Sequence, residues 1–252
     1  MLAKDRTFVV TGGAAGLGLG AVEELARAGA FVAVLDRDSD LGAAAVAGKP
    51  HLRFFELDVT ETDRAAAVVD AVVAWTRQTG KPLGGVVNAA GVGMAGKPLD
   101  LDVFAMVVTI NLVGTFNMTR LVAKHLVGVD PDAEGERGVI INVSSASAYD
   151  GQAGQVAYAA SKGAVASMTL PLARDLVPFG IRAVAIAPSL FETNMTAGVS
   201  AKAYTQMQRL LEFPPRFGRP AEFALLVRAV VENVMLNGTV IRIDGATRLS
   251  KL

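Results

Sequence analysis

The chain has no cysteine among its 252 residues, contains only two histidines, and balances 24 basic side chains with 24 acidic ones. Without cysteine the chain can form neither a disulfide framework nor a thiolate metal site, which suits a reducing compartment. His51 and His125 lie far apart in sequence and have no carboxylate at ligand spacing, so we predict no bound metal. The zero formal net charge argues against a nucleic-acid partner or an anionic membrane surface.

Long apolar runs are also missing. We see no apolar run long enough to span a bilayer, and the first strand-like run begins at Thr7, which leaves no room for a signal peptide. The last three residues, Ser250-Lys251-Leu252, match a peroxisomal address. The Ala-rich composition favours a bacterial chain, in which that address is not read. We therefore expect a cytoplasmic protein, with the peroxisome as the alternative.

What the chain does contain is apolar sequence in a regular rhythm. Hydrophobic residues make up 52% of the chain and charged residues 19%, which indicates heavy burial of helices against a sheet and of subunits against each other. Ala-rich helical stretches alternate with strand-like runs at residues 7–11, 31–35, 52–57, 85–88, 139–143, 182–187 and 239–243. This alternation predicts a single α/β domain over residues 1–252, built on a doubly wound parallel sheet of seven strands.

Two segments interrupt the rhythm. Residues 131–138 form a charged stretch that we interpret as a surface loop. Residues 189–219 are irregular and apolar, and we interpret them as a substrate lid that includes Phe191, Met195, Met207, Leu210, Leu211 and Phe213. A helix pair docked as ordinary core is the alternative for this second segment.

The first strand leads directly into a glycine-rich turn and then into a helix ending near Gly29. The turn reads Gly12-Gly13-Ala14-Ala15-Gly16-Leu17-Gly18. Glycine lets the backbone approach a pyrophosphate, and free amides at a helix N-terminus attract its charge. A glycine cluster alone is a weak signal in a chain with 26 glycines. The order strand, glycine turn, helix and a later carboxylate nevertheless predicts a dinucleotide site.

That carboxylate is Asp36, which follows the second strand. It is placed to accept hydrogen bonds from an adenosine ribose and to repel a 2′-phosphate, which favours NAD. Asp38 adds to the repulsion. The adjacent Arg37 leaves use of NADP open as an alternative.

A second group of polar residues follows the fifth strand. Tyr158 and Lys162 are four residues apart and so share one helical face, while Ser145 comes directly after the strand. Tyr followed four residues later by Lys is also common on solvated helices. Together with the glycine turn, these residues predict a proton-transfer site in which Lys162 helps to make Tyr158 a base. Gln152, Gln155, Phe191 and Met207 are candidate pocket residues, and the two glutamines could equally be loop hydrogen-bonders.

Several motifs along the whole chain resemble those of the short-chain dehydrogenases/reductases. The family's cofactor turn matches Thr11-Gly12 with Gly16, Leu17 and Gly18; its adenine contact matches Asp58-Val59; its fourth-strand motif matches Asn88-Ala89-Ala90-Gly91; and its catalytic tetrad matches Asn111, Ser145, Tyr158 and Lys162. The resemblance implies a Rossmann-type fold, an NAD cofactor held also by Tyr158, Lys162, Pro188 and Thr193, with Lys162 on the nicotinamide ribose, and Ser145 as a ligand of the substrate oxygen.

Some of these implied roles have alternatives. In the family, Asn111 would fix a water that links Lys162 to solvent, but an asparagine here could also simply bond helix backbone. Thr193 would grip the nicotinamide carboxamide, or it could cap a helix. Ser189 departs from the glycine usual beside the nicotinamide, and serine adopts a positive φ less readily than glycine, so we expect a local difference in that loop.

Within the family, the strings at residues 111–117, 138–142, 169–176 and 240–246 are most similar to the type-2 3-hydroxyacyl-CoA dehydrogenase branch. This similarity implies oxidation of a 3-hydroxyacyl-CoA, with a hydroxysteroid or other hydrophobic alcohol as the alternative substrate. A helix predicted over residues 155–177 has more apolar surface than one sheet face can cover, and the family resemblance implies a homotetramer. A scaffold that binds cofactor without turnover is the alternative class of function.

Overall fold

The computed structural model of the chain describes residues 1–93, 99–193, 196 and 201–248. Within these residues a single seven-stranded sheet runs in the order β3-β2-β1-β4-β5-β6-β7, with every adjacent pair parallel. The strands are β1 (Thr7–Thr11), β2 (Phe31–Asp36), β3 (Leu52–Glu56), β4 (Leu83–Asn88), β5 (Gly138–Val143), β6 (Ile181–Pro188) and β7 (Val240–Ile243). The predicted fold is confirmed, and each strand end lies within two residues of its predicted place.

Helices cover both faces of the sheet. They are α1 (Gly16–Arg27), α2 (Ser39–Val46), α3 (Thr62–Thr79), α4 (Leu101–Val108), α5 (Thr115–Leu126), α6 (Val156–Ser167), α7 (Thr169–Leu176), α8 (Ala201–Gln208) and α9 (Pro220–Glu232). One buried cluster joins α1 and α9 to the sheet, and a second joins α3 and α5 to the opposite face. All five residues of β1 are buried, as expected for a central strand covered on both faces.

The strand order determines where a ligand can bind. The chain builds outward from β1 to β2 and β3 on one side, then returns to add β4 to β7 on the other. A crevice forms at the carboxyl ends of the strands where the order reverses, which lies between β1 and β4. The glycine turn after β1 and Ser145 after β5 both lie at this edge.

The predicted continuous helix over residues 155–177 is two helices. α6 ends at Ser167, Met168 has φ −73° and ψ −11°, and α7 starts at Thr169. The cause is Pro171, which has no N–H to donate to the Ser167 carbonyl and whose ring crowds that carbonyl.

A long apolar helical stretch runs from Leu101 to Leu126. It joins α4 and α5 through a wider π-helical turn, Thr109–Gly114. By length and composition these 26 residues could cross a membrane, and their most apolar window has a mean hydropathy of 1.5, so the expectation that no segment could do so is wrong. One third of the most apolar window is buried, and α5 packs Met118, Val122 and Leu126 against the sheet.

The described parts of residues 189–219 are anchored to the core. Phe191 is buried, pairs with Gly218 and packs edge-on against the Phe223 ring with 6.5 Å between centroids. The Tyr204 and Phe217 rings lie 4.8 Å apart. The two ends of this segment are therefore packed in place. Its interpretation as a substrate lid stays a prediction. Met195 and the terminal Ser250-Lys251-Leu252 lie outside the described residues.

The charged stretch at residues 131–138 is a surface loop only in its first part, because Glu136 turns inward. Its carboxylate accepts a hydrogen bond of 2.7 Å from the Arg182 guanidinium, and both side chains are buried. Arg182 also donates to the carbonyls of Val230 and Val231 in the last turn of α9 and to that of Leu236 in the loop that follows. One buried guanidinium therefore joins β6, the start of β5 and the end of α9.

Replacing Arg182 with alanine should lower the free energy of unfolding by about 3 kcal/mol, because the buried Glu136 carboxylate then keeps, of its described partners, only the Met1 ammonium at 2.8 Å, and three carbonyls lose their donor. Urea unfolding of the variant measures this loss. Arg64→Ala is the matched control, since Arg64 pairs with Glu56 and Glu61 while all three side chains are half-exposed, and it should cost less than about 1 kcal/mol. Equal losses in the two variants would contradict the role given to Arg182.

Candidate active site

A cavity of about 510 Å³ lies at the carboxyl ends of the strands. It extends from the ends of β2 and β3, past the glycine turn, to the residues that follow β5 and β6. Its lining includes Gly12, Ala15, Gly16, Leu17, Gly18, Asp36, Arg37, Leu57, Asp58, Val59, Ala89, Ala90, Gly91, Val92, Gly93, Ile110, Val143, Ser144, Ser145, Tyr158, Lys162, Pro188, Ser189, Phe191, Thr193 and Thr196. The structure thus brings the two predicted groups of residues to one cavity.

The glycine turn is packed too tightly for side chains. Gly12 and Gly16 have φ of +62° and +53°, in the region that favours glycine. A Cβ on Gly18 would lie 2.0 Å from the Gly12 carbonyl oxygen, and one on Gly12 would lie 2.9 Å from the Ala90 Cα. α1 starts without a side-chain cap at Ala15, so the amides of its first turn are available to an anion. This geometry fits a dinucleotide pyrophosphate.

Carboxylates occupy the β2 and β3 end of the cavity. Asp36 accepts hydrogen bonds from the N–H groups of Ala14 (3.1 Å) and Asp38 (3.2 Å), which fix its orientation. Asp58 has its pKa held below the ordinary value, chiefly because the backbone N–H of Thr60 donates to it, with a further hydrogen bond from the Thr60 hydroxyl. The Asp36 side chain at the end of β2 is an acceptor that fits the two hydroxyls of an adenosine ribose.

Two of the predicted cofactor residues lie behind the cavity wall. Thr11 accepts a hydrogen bond of 3.1 Å from the Ala90 N–H through its hydroxyl, and so positions the loop after β4. The Asn88 amide donates to Asn142 (2.8 Å) and Thr119 (3.0 Å), which ties β4 to β5 and α5. Both residues support the lining, but neither is among the residues that form it.

Ser145, Tyr158 and Lys162 meet at the opposite end. The Lys162 ammonium donates a 2.8 Å hydrogen bond to the Val143 carbonyl and lies 5.8 Å from the centre of the Tyr158 ring. The Ser145 hydroxyl oxygen accepts from the Ser147 N–H (3.1 Å), which holds it at the start of a short turn. Ser144, which the sequence did not single out, donates to the Lys162 carbonyl (2.7 Å) and fixes α6 against β5.

Burial acts on both titratable groups of this site. It raises the pKa of the Tyr158 phenol, and a hydrogen bond with Ser145 offsets part of that rise. It lowers the pKa of the Lys162 ammonium to about 8. Both shifts favour the neutral forms, so burial by itself does not make Tyr158 a base at neutral pH. A bound positive charge next to the phenol would move its pKa in the required direction.

Asn111 is fully buried in the π-helical turn and bonds more than helix backbone. Its side chain accepts from the Val92 N–H (2.8 Å) and donates to the Val92 carbonyl (3.0 Å) and to the Ser161 hydroxyl (3.1 Å). It therefore holds the loop after β4 against α6, one residue before Lys162. A Cβ on Gly91 would lie 3.1 Å from the Asn111 Oδ1 and 3.4 Å from the Lys162 Nζ. Because glycine has no Cβ, the loop after β4 can pack close to both side chains. A water link through Asn111 stays a prediction.

The candidate substrate residues are only partly brought together. Phe191 lines the cavity, whereas Gln152, Gln155 and Met207 are not among its lining residues. The Gln155 side-chain oxygen accepts from the Ser147 hydroxyl at 3.3 Å, which supports its reading as a loop hydrogen-bonder. Thr193 lines the cavity, and its methyl group is 3.4 Å from the position of a Cβ on Gly16.

Comparisons with known proteins agree with this geometry. The family model described as short chain dehydrogenase matches residues 6–203. The chain is 45% identical to the 3-hydroxyacyl-CoA dehydrogenase type-2 of Drosophila melanogaster, over 98% of each chain. It is 44% identical to the Homo sapiens protein of that name, over 98% of this chain and 96% of the other. A crystal structure of 3-hydroxyacyl-CoA dehydrogenase type-2 from Mycobacterium avium superposes with a TM-score of 0.88 at 34% identity, covering 96% of this chain and 95% of that one.

Proposed function

The chain belongs to the short-chain dehydrogenase family and is an oxidoreductase, and we propose that it uses NAD to oxidise the secondary alcohol of a 3-hydroxyacyl-CoA. The observation that carries the proposal is one cavity with a glycine turn and Asp36 at one end and Ser145, Tyr158 and Lys162 at the other. The substrate class is supported by the relatives of that name, which are aligned over nearly their whole length.

The residues of the cavity fit a nicotinamide dinucleotide. The glycine turn and the first turn of α1 would hold its pyrophosphate, and Asp36 its adenosine ribose. Bound at this site, the nicotinamide supplies the hydride acceptor. The protein then has to remove a proton from the substrate hydroxyl and hold its oxygen.

Tyr158 is the group suited to take that proton. Ser145 hydrogen-bonds Tyr158 and can also bond the substrate oxygen, so that the oxygen lies within reach of both. Lys162 favours the phenolate by its positive charge, with its nitrogen 5.8 Å from the centre of the Tyr158 ring. A unit charge at a separation of this order contributes about 3 kcal/mol at an effective dielectric constant near 20.

Steady-state kinetics with a panel of ketones tests the substrate class. With NADH, acetoacetyl-CoA should be reduced with a kcat/KM at least about tenfold above that for ketosteroids and simple cyclic ketones. Contacts with the CoA part of the substrate, away from the reacting carbonyl, would lower the barrier. A steroid or simple ketone as the best substrate would overturn the acyl-CoA proposal and leave the dehydrogenase chemistry intact.

The choice of NAD over NADP is supported by Asp36. Asp36→Ala should weaken NAD binding by about 10-fold or more, since hydrogen bonds to a charged acceptor are lost, and should improve NADP binding because the carboxylate no longer repels the 2′-phosphate. Dissociation constants from calorimetry measure both changes. Asp40→Ala, which removes a nearby exposed carboxylate in the first turn of α2, should leave the ratio nearly unchanged. A wild-type preference for NADP would rule out this reading of Asp36.

Assembly into a homotetramer is part of the proposal. Its support is the apolar surface of the stretch Leu101–Leu126, where Leu101, Phe104, Met106, Val113 and Phe116 are all more than one third exposed. Helix-to-helix contact with a second copy would bury this surface, and the exposed Leu225 on α9 offers a further contact. Light scattering should give four times the 26.1 kDa chain mass. A monomer mass at micromolar concentration would contradict it.

A further inference from the structure

Arg242 is a charged residue on β7, the strand that ends the sheet order next to β6. Side chains alternate along a strand, so while Ile241 and Ile243 pack against the buried cluster of α1 and α9, Arg242 points to the opposite face. There its Nη1 and Nη2 donate to the two carboxylate oxygens of Asp150, and its Nε donates to Asp244 at 2.7 Å. All three charged side chains are less than one quarter exposed. One guanidinium thus joins β7 to the loop that follows β5.

Asp150 ends the turn that begins at Ser145. The Ala148 N–H donates to the Ser145 carbonyl, and the Asp150 N–H donates to the Ala146 carbonyl, both at 3.0 Å. Within the same turn the Ser145 hydroxyl oxygen accepts from the Ser147 N–H at 3.1 Å. A displacement of Asp150 would therefore pass along these hydrogen bonds to the N–H group that orients the Ser145 hydroxyl.

The turn is fixed to the sheet at both of its ends. Its first end continues β5, where the Ser144 N–H donates to the Ile186 carbonyl of β6 at 2.8 Å. At its other end the Asp150 carboxylate takes two donors of a guanidinium whose own backbone is held by the pairing of Arg242 with Ala187. A bidentate ion pair constrains direction as well as distance. The turn is therefore held to β5 at one end and to β7 at the other, on either side of β6.

We propose that Arg242 is a positioning residue for the reaction: through Asp150 it holds the turn that presents the Ser145 hydroxyl to the substrate oxygen. Neither Arg242 nor Asp150 is among the residues that line the cavity, so their effect has to pass through Ser145. A hydroxyl that stabilises developing charge works only in the right place, and misplacement by about 1 Å can slow a reaction about 100-fold. This inference rests on the proposed dehydrogenase function.

Asp150→Asn tests the inference, because it keeps the size of the side chain, removes the charge that takes the guanidinium, and leaves Arg242 paired with Asp244. Single-turnover reduction of acetoacetyl-CoA by NADH, or of a better ketone if the panel gives one, should slow about 10-fold or more. Calorimetric NAD affinity should stay within about twofold of wild type. Asp150→Glu restores a carboxylate and should recover most of the rate. Arg242→Lys keeps the charge without the fork and should show a smaller loss of the same kind.

Two further variants separate positioning from general packing. Arg248→Gln is the matched control, since Arg248 pairs with Asp244 in the same group of charges and its side chain is 61% exposed. Its single-turnover rate should stay within about twofold of wild type. The double variant Ser145→Ala, Asp150→Asn gives the decisive comparison. If Asp150 acts through Ser145, this variant should react no more slowly than Ser145→Ala alone.

Three results would overturn the inference. The first is an unchanged single-turnover rate in Asp150→Asn. The second is a loss that multiplies with that of Ser145→Ala, because Asp150 would then act by another route. The third is a loss of NAD affinity as large as the loss of rate, which would show a general disturbance of the cavity. Failure of the proposed function is distinguishable, because wild-type protein would then reduce no ketone of the panel with NADH, and the inference would fall with it.

Discussion

Tyr158→Phe should lower kcat by about 10²- to 10⁴-fold, the usual contribution of a general acid or base, while NAD affinity changes little. The variant keeps the aromatic ring and its packing on α6, and it loses only the hydroxyl that hydrogen-bonds Ser145. Steady-state turnover combined with calorimetric NAD binding separates loss of chemistry from loss of binding.

Tyr149→Phe is the matched control for this change. Tyr149 is half-exposed, its ring faces the Arg242 guanidinium, and it is not among the residues that line the cavity. Its kcat should stay within about twofold of wild type, as expected for a surface substitution away from the chemistry. Turnover near the wild-type level in Tyr158→Phe would remove Tyr158 from the mechanism.

The fold was predictable because its signals are local. β1 is a short apolar run that ends at a glycine turn. Each of the other predicted strands likewise has a turn residue within a few residues of one of its ends. The break between α6 and α7 was also readable in principle, since Pro171 is visible in the sequence. Apolar periodicity predicts one helix, whereas the missing N–H of Pro171 breaks it.

The sequence predicts which strand ends carry the residues of the site. It predicts the hydrogen-bond partners of individual side chains less well. Asn88 is the last residue of β4, and its amide turns to Asn142, its partner in the neighbouring strand. That contact depends on the register of two strands separated in the chain by α4 and α5, and no local pattern specifies such a register. The sequence did not single out Ser144 or Ser161 for the same reason, because their partners, Lys162 and Asn111, come from other elements.

Phe191 shows how one apolar residue can serve two purposes. The sequence predicts a substrate contact, and the structure places the residue in the cavity lining. Its ring also packs edge-on against Phe223 in the buried cluster of α1 and α9. A residue held in this way contributes a fixed wall to the cavity.

The electrostatics of the site explain why Lys162 should matter as much as Tyr158. Burial raises the pKa of Tyr158, so the phenolate needs a compensating positive charge. Lys162 supplies that charge only while it is protonated, and its pKa is lowered to about 8. As the pH rises through 8, the ammonium is lost while the phenolate is gained. The wild-type oxidation rate should therefore rise with pH at first and level off above about pH 8.

Lys162→Met should remove the positive charge beside Tyr158 and, with it, the levelling of the rate above about pH 8. Without the cation the pKa of Tyr158 rises further, so less phenolate is present and the rate at neutral pH should fall by about 100-fold. The remaining rate should then increase about tenfold for each pH unit up to pH 10, with no levelling near 8. A pH profile of the variant parallel to that of wild type would contradict the proposed effect of Lys162 on Tyr158.

Loss of folding would not explain a slower Lys162→Met variant, because the substitution removes a buried charge that lowers the stability of the folded protein at neutral pH. The folded-state pKa of Lys162, about 8, is below the value of 10.5 for an exposed lysine, so its buried charge lowers stability below pH 8. That penalty disappears as the pH rises from 8 to 10.5, and methionine removes it at neutral pH. The double variant Tyr158→Phe, Lys162→Met completes the test. If Lys162 acts through Tyr158, the double variant should be no slower than Tyr158→Phe alone, whereas multiplied losses would show that Lys162 acts by a separate route.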